Sequence, residues 1–208
     1  QGFDRFFGFC AGHLGNFFNP RLQVNGKEVE TEGYITDVLT DSSLAFIRQN
    51  KDKPFFCYIP YNLPHAPFQV PDKYYAKYKA MGFDNATACV YGMCENLDEN
   101  LQRILDVLKD EKLEKNTILV FSTDNGPNGK YRYNGGMKGW KGQQDEGGVR
   151  VPFYVYAPSR FAAKEIINKP GAHIDFFPTV MELCGLELPG SLDIDGKSLV
   201  PLFHDREA

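Results

Sequence analysis

Three short runs in this chain, residues 55–59, 116–123 and 151–156, have a continuous apolar stretch instead of alternating apolar and polar residues. A strand that faces water on one side alternates; a run without alternation is covered on both faces, and such strands belong to parallel sheets sandwiched by helices. Segments of helical period lie between the runs. Residues 31–49 place Ile35, Val38, Leu39, Ala45, Phe46 and Ile47 at helical spacing, and residues 86–112 do so with Val90, Met93, Leu97, Leu101, Ile104, Leu105 and Leu108. The alternation predicts an α/β fold: a mostly parallel central sheet with helices on both faces. No repeat or linker divides the sequence, so residues 1–208 are expected to be one domain.

Smaller signals fill the gaps. Asn25-Gly26 between short alternating runs predicts a hairpin over 22–30. Residues 72–80 and 173–184 are expected to be helices, with Gly185 as the C-terminal cap of the latter. Residues 1–20 and 192–203 have no clean period and are expected to be irregular.

The formal charge of −4, without a basic stripe, argues against nucleic acid as a partner. No run reaches membrane-spanning length and no signal peptide is visible; the chain begins at Gln1 without a methionine, as a processed or truncated piece would. The five cysteines, Cys10, Cys57, Cys89, Cys94 and Cys184, match no zinc spacing and are expected to be small buried hydrophobes.

Chemistry concentrates in residues 122–152, STDNGPNGKYRYNGGMKGWKGQQDEGGVRVP. The second apolar run ends at Asp124-Asn125, and Gly126-Pro127 breaks the strand there. A carboxylate and an amide carbonyl are hard oxygen donors suited to Ca²⁺ or Mg²⁺; the same residues also favour plain turns. Lys138 and Lys141 lie among Gly135, Gly136, Gly139 and Gly142, where an ammonium can meet an anionic oxygen or simply face solvent. His65 is flanked by Pro64 and, one residue on, Pro67, in a loop after the first apolar run; it is either a presented imidazole or a capping side chain. His13 and His173 carry less signal. Trp140 is expected to pack, and Glu146 and Arg150 to form a structural ion pair or to anchor a helix start. In an α/β sheet, loops at the carboxyl ends of strands gather at one edge, which would bring residues 62–65 and Asp124-Asn125 together.

Taken in order, these segments resemble the sulfatase family, within the alkaline-phosphatase-like superfamily. Lys53-Pro54-Phe55-Phe56 leading to Asn62-Leu63-Pro64-His65-Ala66-Pro67 is similar to the family's strand and Pro-His-x-Pro loop. Ser122-Thr123-Asp124-Asn125-Gly126-Pro127 resembles its metal-binding Asp-Asn-Gly. Lys141-Gly142 with Glu146-Gly147-Gly148-Val149-Arg150-Val151-Pro152 resembles its Lys-Gly-x-x-x-Glu-Gly-Gly-x-Arg-x-Pro. Asp175-Phe176-Phe177-Pro178-Thr179 with Cys184-Gly185, and Asp195-Gly196-Lys197-Ser198-Leu199, match later family segments. Gly2-Phe3-Asp4 with Phe6-Phe7-Gly8 resembles the segment just past its N-terminal third.

The resemblance implies an alkaline-phosphatase-like fold, incomplete here, and hydrolysis of sulfate esters carried by a small molecule or carbohydrate. It implies Asp124 and Asn125 as ligands of a divalent ion, usually Ca²⁺, and His65 and Lys141 as contacts of the sulfate group; Lys138 does not sit at the family spacing. It implies a periplasmic, secreted or lysosomal setting, and leaves oligomeric state open. The family's formylglycine motif, Cys/Ser-x-Pro-x-Arg, has no counterpart in this sequence, nor do two metal-binding aspartates, the Lys-x-x-His segment or the C-terminal subdomain. The chain is therefore expected to be the middle-to-late part of a sulfatase catalytic domain, inactive alone. A phosphatase or phosphodiesterase of the same superfamily, and a non-catalytic binding module, are the competing readings.

Overall fold

A computed structural model describes residues 2–129, 132–161 and 165–204. They divide into two compact units. One holds the described residues up to Thr117 together with Thr123–Val151; the other holds Ile118–Ser122 and the described residues from Pro152 onward.

The first unit starts with an antiparallel three-stranded sheet, β1 (Phe7–Gly8), β2 (Arg21–Val24) and β3 (Lys27–Glu30). The β2–β3 turn is Asn25-Gly26, both at positive φ, as the sequence predicts. Three helices follow: α1 (Ile35–Asn50), α2 (Asp72–Ala80) and α3 (Asn85–Asp110). The α3 start is fixed by Asp84, whose carboxylate accepts the backbone amides of Ala86 and Thr87 at 3.0 and 3.1 Å. The core of this unit joins Phe17, Leu22, Tyr34, Ile35, Leu39, Leu63, Val70, Tyr74 and Met93. Asn96 and Asn100 of α3 are also buried; both donate to Oδ1 of Asp37 on α1, at 2.9 and 2.7 Å, which offsets the cost of burying their amide nitrogens. After these helices the unit continues with the glycine-rich segment, which ends in a single turn of helix, α4 (Glu146–Val149).

The second unit contains β4 (Leu119–Ser122) paired antiparallel with β5 (Phe153–Tyr156), then α5 (Phe176–Leu183) and α6 (Val200–His204). Gly185, at φ +66°, ends α5: its amide donates to the carbonyl of Glu182 and the amide of Leu186 to that of Met181, a Schellman cap. Two sequence segments meet here. Asp175 accepts the amides of Ala172 and Lys197, both at 2.8 Å, and Oγ1 of Thr179 accepts the amide of Leu199 at 2.8 Å.

Several expectations need correction. The mixture of helices and strands is that of an α/β chain, but every ladder among the described residues is antiparallel, where a mostly parallel sheet was expected. Residues 55–59 form no ladder, because an extended run becomes a strand only where another edge takes its hydrogen bonds. The tail read as irregular contains α6, and residues 1–20 contain β1. All five cysteines are free thiols, and Cys10, Cys94 and Cys184 are exposed, not buried.

Candidate active site

The chain leaves β4 at Ser122 and turns at once. The amide of Gly126 donates to the carbonyl of Gly148 at 2.9 Å, and a side chain at Gly126 would sit 1.9 Å from the carbonyl oxygen of Gly147, so only glycine fits this approach. The turn presents Asp124, exposed, beside half-buried Asn125. The Asn125 amide nitrogen donates to the carbonyl of Gly126 at 2.9 Å. Among the described residues no hydrogen bond engages Oδ1 of Asn125 or the Asp124 carboxylate, so two side chains with hard oxygens remain available.

The glycine-rich segment is a knot of backbone contacts. Nδ2 of Asn134 donates to the carbonyls of Met137 and Gly139, at 2.7 and 2.9 Å. A methyl at Gly147 would meet the Gly139 carbonyl oxygen at 2.3 Å, and one at Gly148 the Gln143 oxygen at 2.1 Å. The amide of Lys141 donates to the carbonyl of Pro127 at 2.9 Å, which ties this lysine to the Asp124-Asn125 turn. Lys138 is held differently: its Nζ lies 2.9 Å from Oδ1 of Asp145. No carboxylate among the described residues pairs with Lys141. Glu146 and Arg150 pair one turn apart at 2.6 Å, the structural role expected of them.

His65 stands in the loop after residues 55–59. Its Nδ1 lies 2.8 Å from the carbonyl of Ala66; a carbonyl only accepts, so Nδ1 carries the proton and Nε2 is the nitrogen left for other partners. The peptide bonds before Pro64 and Pro67 are both cis. Two contacts anchor the loop. The Arg132 guanidinium lies 4.5 Å from the ring centroid of Phe68, which links the His65 loop to the glycine-rich segment. Gln69 accepts the amide of buried Phe17 at 2.8 Å, which links it to the loop carrying His13. The two side-chain amide atoms of Asn62 are buried and have no hydrogen-bond partner among the described residues.

The first unit thus contains all four side chains singled out from sequence, with Asp124, Asn125 and Lys141 joined by backbone bonds and His65 connected through Arg132 and Phe68. Sequence reasoning missed the roles of Asn134 and Arg132, which act on partners several residues or a whole loop away. His173 lies in a turn of 3₁₀ helix in the second unit. Among the described residues no three His, Cys, Asp or Glu side chains gather as they would around a metal ion, and no helix is long and apolar enough to cross a membrane.

Comparison with known proteins gives this arrangement its context. The chain is 34% identical to the uncharacterized sulfatase YdeN of Escherichia coli, over all of its own length and 38% of that protein. It is 33% identical to mouse steryl-sulfatase, over 83% of this chain and 28% of that protein. Among solved structures, Ps i-CgsB in complex with k-i-k-neocarrahexaose superposes with a TM-score of 0.91 at 30% identity, covering 99% of this chain and 51% of that one. Such neighbours place the chain in the alkaline-phosphatase-like class of fold. The chain spans well under half the length of the relatives it matches in sequence. The family model for sulfatases matches residues 1–186, which include His65, the Asp124-Asn125 turn, Lys141 and the α5 helix, and on that match the chain belongs to the sulfatase family.

Proposed function

We propose that the protein containing this chain hydrolyses sulfate esters, and that residues 1–208 form part of its catalytic domain. The observation that carries the reading is the knot joining Asp124-Asn125 to Lys141 through the 2.9 Å bond between the Lys141 amide and the Pro127 carbonyl. It ties the turn that carries these two oxygen-bearing side chains to the backbone of a lysine with which no carboxylate among the described residues pairs.

The family is generally metal-dependent, and Asp124 and Asn125 fit as two donors for a Ca²⁺ ion, whose full shell takes about six to eight oxygens. When bound, such an ion neutralises charge on the oxygens of the sulfate group. Lys141 adds a fixed cation on the same group. His65 keeps its Nδ1–H on the Ala66 carbonyl, so it is the imidazolium form whose Nε2–H binds a sulfate oxygen or passes its proton to the leaving oxygen. No step is assigned to a nucleophile, because the formylglycine motif has no counterpart in this sequence.

The substrate class we propose is a sulfated carbohydrate or small molecule, supported by the solved neighbour in complex with k-i-k-neocarrahexaose. The resemblance also supports a periplasmic, secreted or lysosomal setting. Assay of the full-length protein on an aryl sulfate and the matching aryl phosphate tests the reading. Faster turnover of the sulfate is expected; faster turnover of the phosphate would reject it.

A further inference from the structure

The imidazoles of His13 and His65 lie close together, with ring centroids 6.4 Å apart and planes inclined by 34°. The residues are 52 positions apart in sequence (65 − 13), so the fold and not local geometry brings the rings together. The anchoring is specific. Phe17, in the His13 loop, is 1% exposed, and its amide and carbonyl are both engaged: the amide donates to Oε1 of Gln69, four residues beyond His65, and the carbonyl accepts from Ile35.

Neither imidazole has the partners expected of a histidine that serves only the fold. Both residues are exposed. Among the described residues His13 makes no hydrogen bond or ion pair, and His65 uses only Nδ1, on the adjacent backbone. A direct nitrogen-to-nitrogen hydrogen bond, about 3 Å long, is out of reach at this ring separation, whereas the separation allows one oxygen at the edges of the two rings to meet a nitrogen from each.

We propose that His13 is a second imidazole of the sulfate-ester site, contacting the sulfated substrate at an oxygen shared with His65, and is thereby a specificity-determining residue. The proposal rests on the sulfatase reading above. His65, as an imidazolium, donates its Nε2–H to that oxygen and His13 donates a ring N–H to it. An ester whose bulk fills the gap is excluded, so the pair selects on shape near the sulfur as well as on charge.

Steady-state kinetics of the full-length protein with 4-nitrophenyl sulfate, and inhibition by inorganic sulfate, test it. His13→Ala is expected to lower kcat/KM about 10- to 100-fold, the scale of a lost hydrogen bond to a charged group, and to weaken inhibition by sulfate. His13→Gln, which keeps a donor, recovers part of the loss. Combined with His65→Ala, the His13→Ala loss is smaller than the product of the single losses, because both rings address one oxygen. Thermal unfolding midpoints equal to the parent's exclude a folding defect, and His13→Gln carries the test if His13→Ala does not fold. A His13→Ala enzyme as active as the parent, beside an impaired His65→Ala enzyme, overturns the proposal and leaves the sulfatase reading intact. A His65→Ala enzyme as active as the parent, or a parent that does not turn over the sulfate, overturns that reading and the proposal with it.

Discussion

Nζ of Lys138 lies 2.9 Å from Oδ1 of Asp145, while Lys141, three residues on, has no carboxylate partner among the described residues. The ion pair separates two lysines that look alike in the sequence. In the full-length protein Lys141→Ala is expected to lower kcat/KM on an aryl sulfate by about 100-fold or more, as loss of a preorganised charge-stabilising group does. Lys138→Ala is expected to stay within about fivefold of the parent, since an exposed ion pair contributes at most about 1 kcal/mol. The reverse order in steady-state kinetics would reject the assignment.

Asp124 and Asn125 supply two oxygens where Ca²⁺ takes about six to eight. Isothermal titration of the 208-residue chain alone is expected to show no tight Ca²⁺ site. In the full-length protein, Asp124→Ala and Asn125→Ala should each lower the bound calcium measured by elemental analysis, and a chelator should abolish turnover until calcium is restored. A tight stoichiometric site in the isolated chain, or full calcium content in both variants, would remove these residues from the ligand set.

A methyl at Gly147 would press on the carbonyl oxygens of Gly139 and Lys138 at 2.3 and 2.7 Å, both backbone atoms that cannot swing aside. Gly147→Ala is expected to destabilise the protein by about 1–3 kcal/mol, the usual cost of overpacking. At Gly190 an added methyl meets nothing within 4 Å, and Gly190→Ala is the matched control. Urea unfolding midpoints for the two variants check the contrast; equal midpoints would count against the packing argument.

The carboxylate of Asp175 is held below its ordinary pKa by hydrogen bonds from the backbone amides of Lys197 and Ala172. A carboxylate lowered in the folded state stabilises the fold at pH values above its unfolded pKa, and that contribution is lost as the pH falls through the folded value. Asp175→Asn is therefore expected to be less stable than the parent at neutral pH, with the gap closing below the ordinary carboxylate range of about 4. Denaturation series at several pH values measure this. A gap that persists or widens in acid would mean that the charge of Asp175 is not what holds the Lys197 segment.

Much of the fold was legible because local chemistry decided it. Asn25-Gly26 dictated a hairpin turn, Gly185 a helix end, and the period of residues 86–112 a long helix. What escaped depended on partners far along the chain. Asn96 and Asn100 break the apolar face of α3, and only Asp37, on another helix, explains why they are buried. The apolarity of residues 55–59 signals a demand for cover but does not specify a hydrogen-bonding edge. In the site, the motif residues stood out because they are chemically unusual. The amide of Asn134 and the guanidinium of Arg132 did not, since one serves carbonyls of its own loop and the other a phenylalanine ring brought there by the fold.

The contacts between Gly147-Gly148 and the carbonyls of Lys138, Gly139, Trp140 and Gln143 make the interval from Asn134 to Gly148 a cassette of fixed length. Each glycine is matched to a particular oxygen. An inserted or deleted residue anywhere inside the interval would shift that register and put a side chain where only a hydrogen atom fits. Exposed Gln144 can change identity freely, but the residue count cannot change. Among engineered versions of this segment, diversity should therefore survive as substitutions and vanish as insertions or deletions.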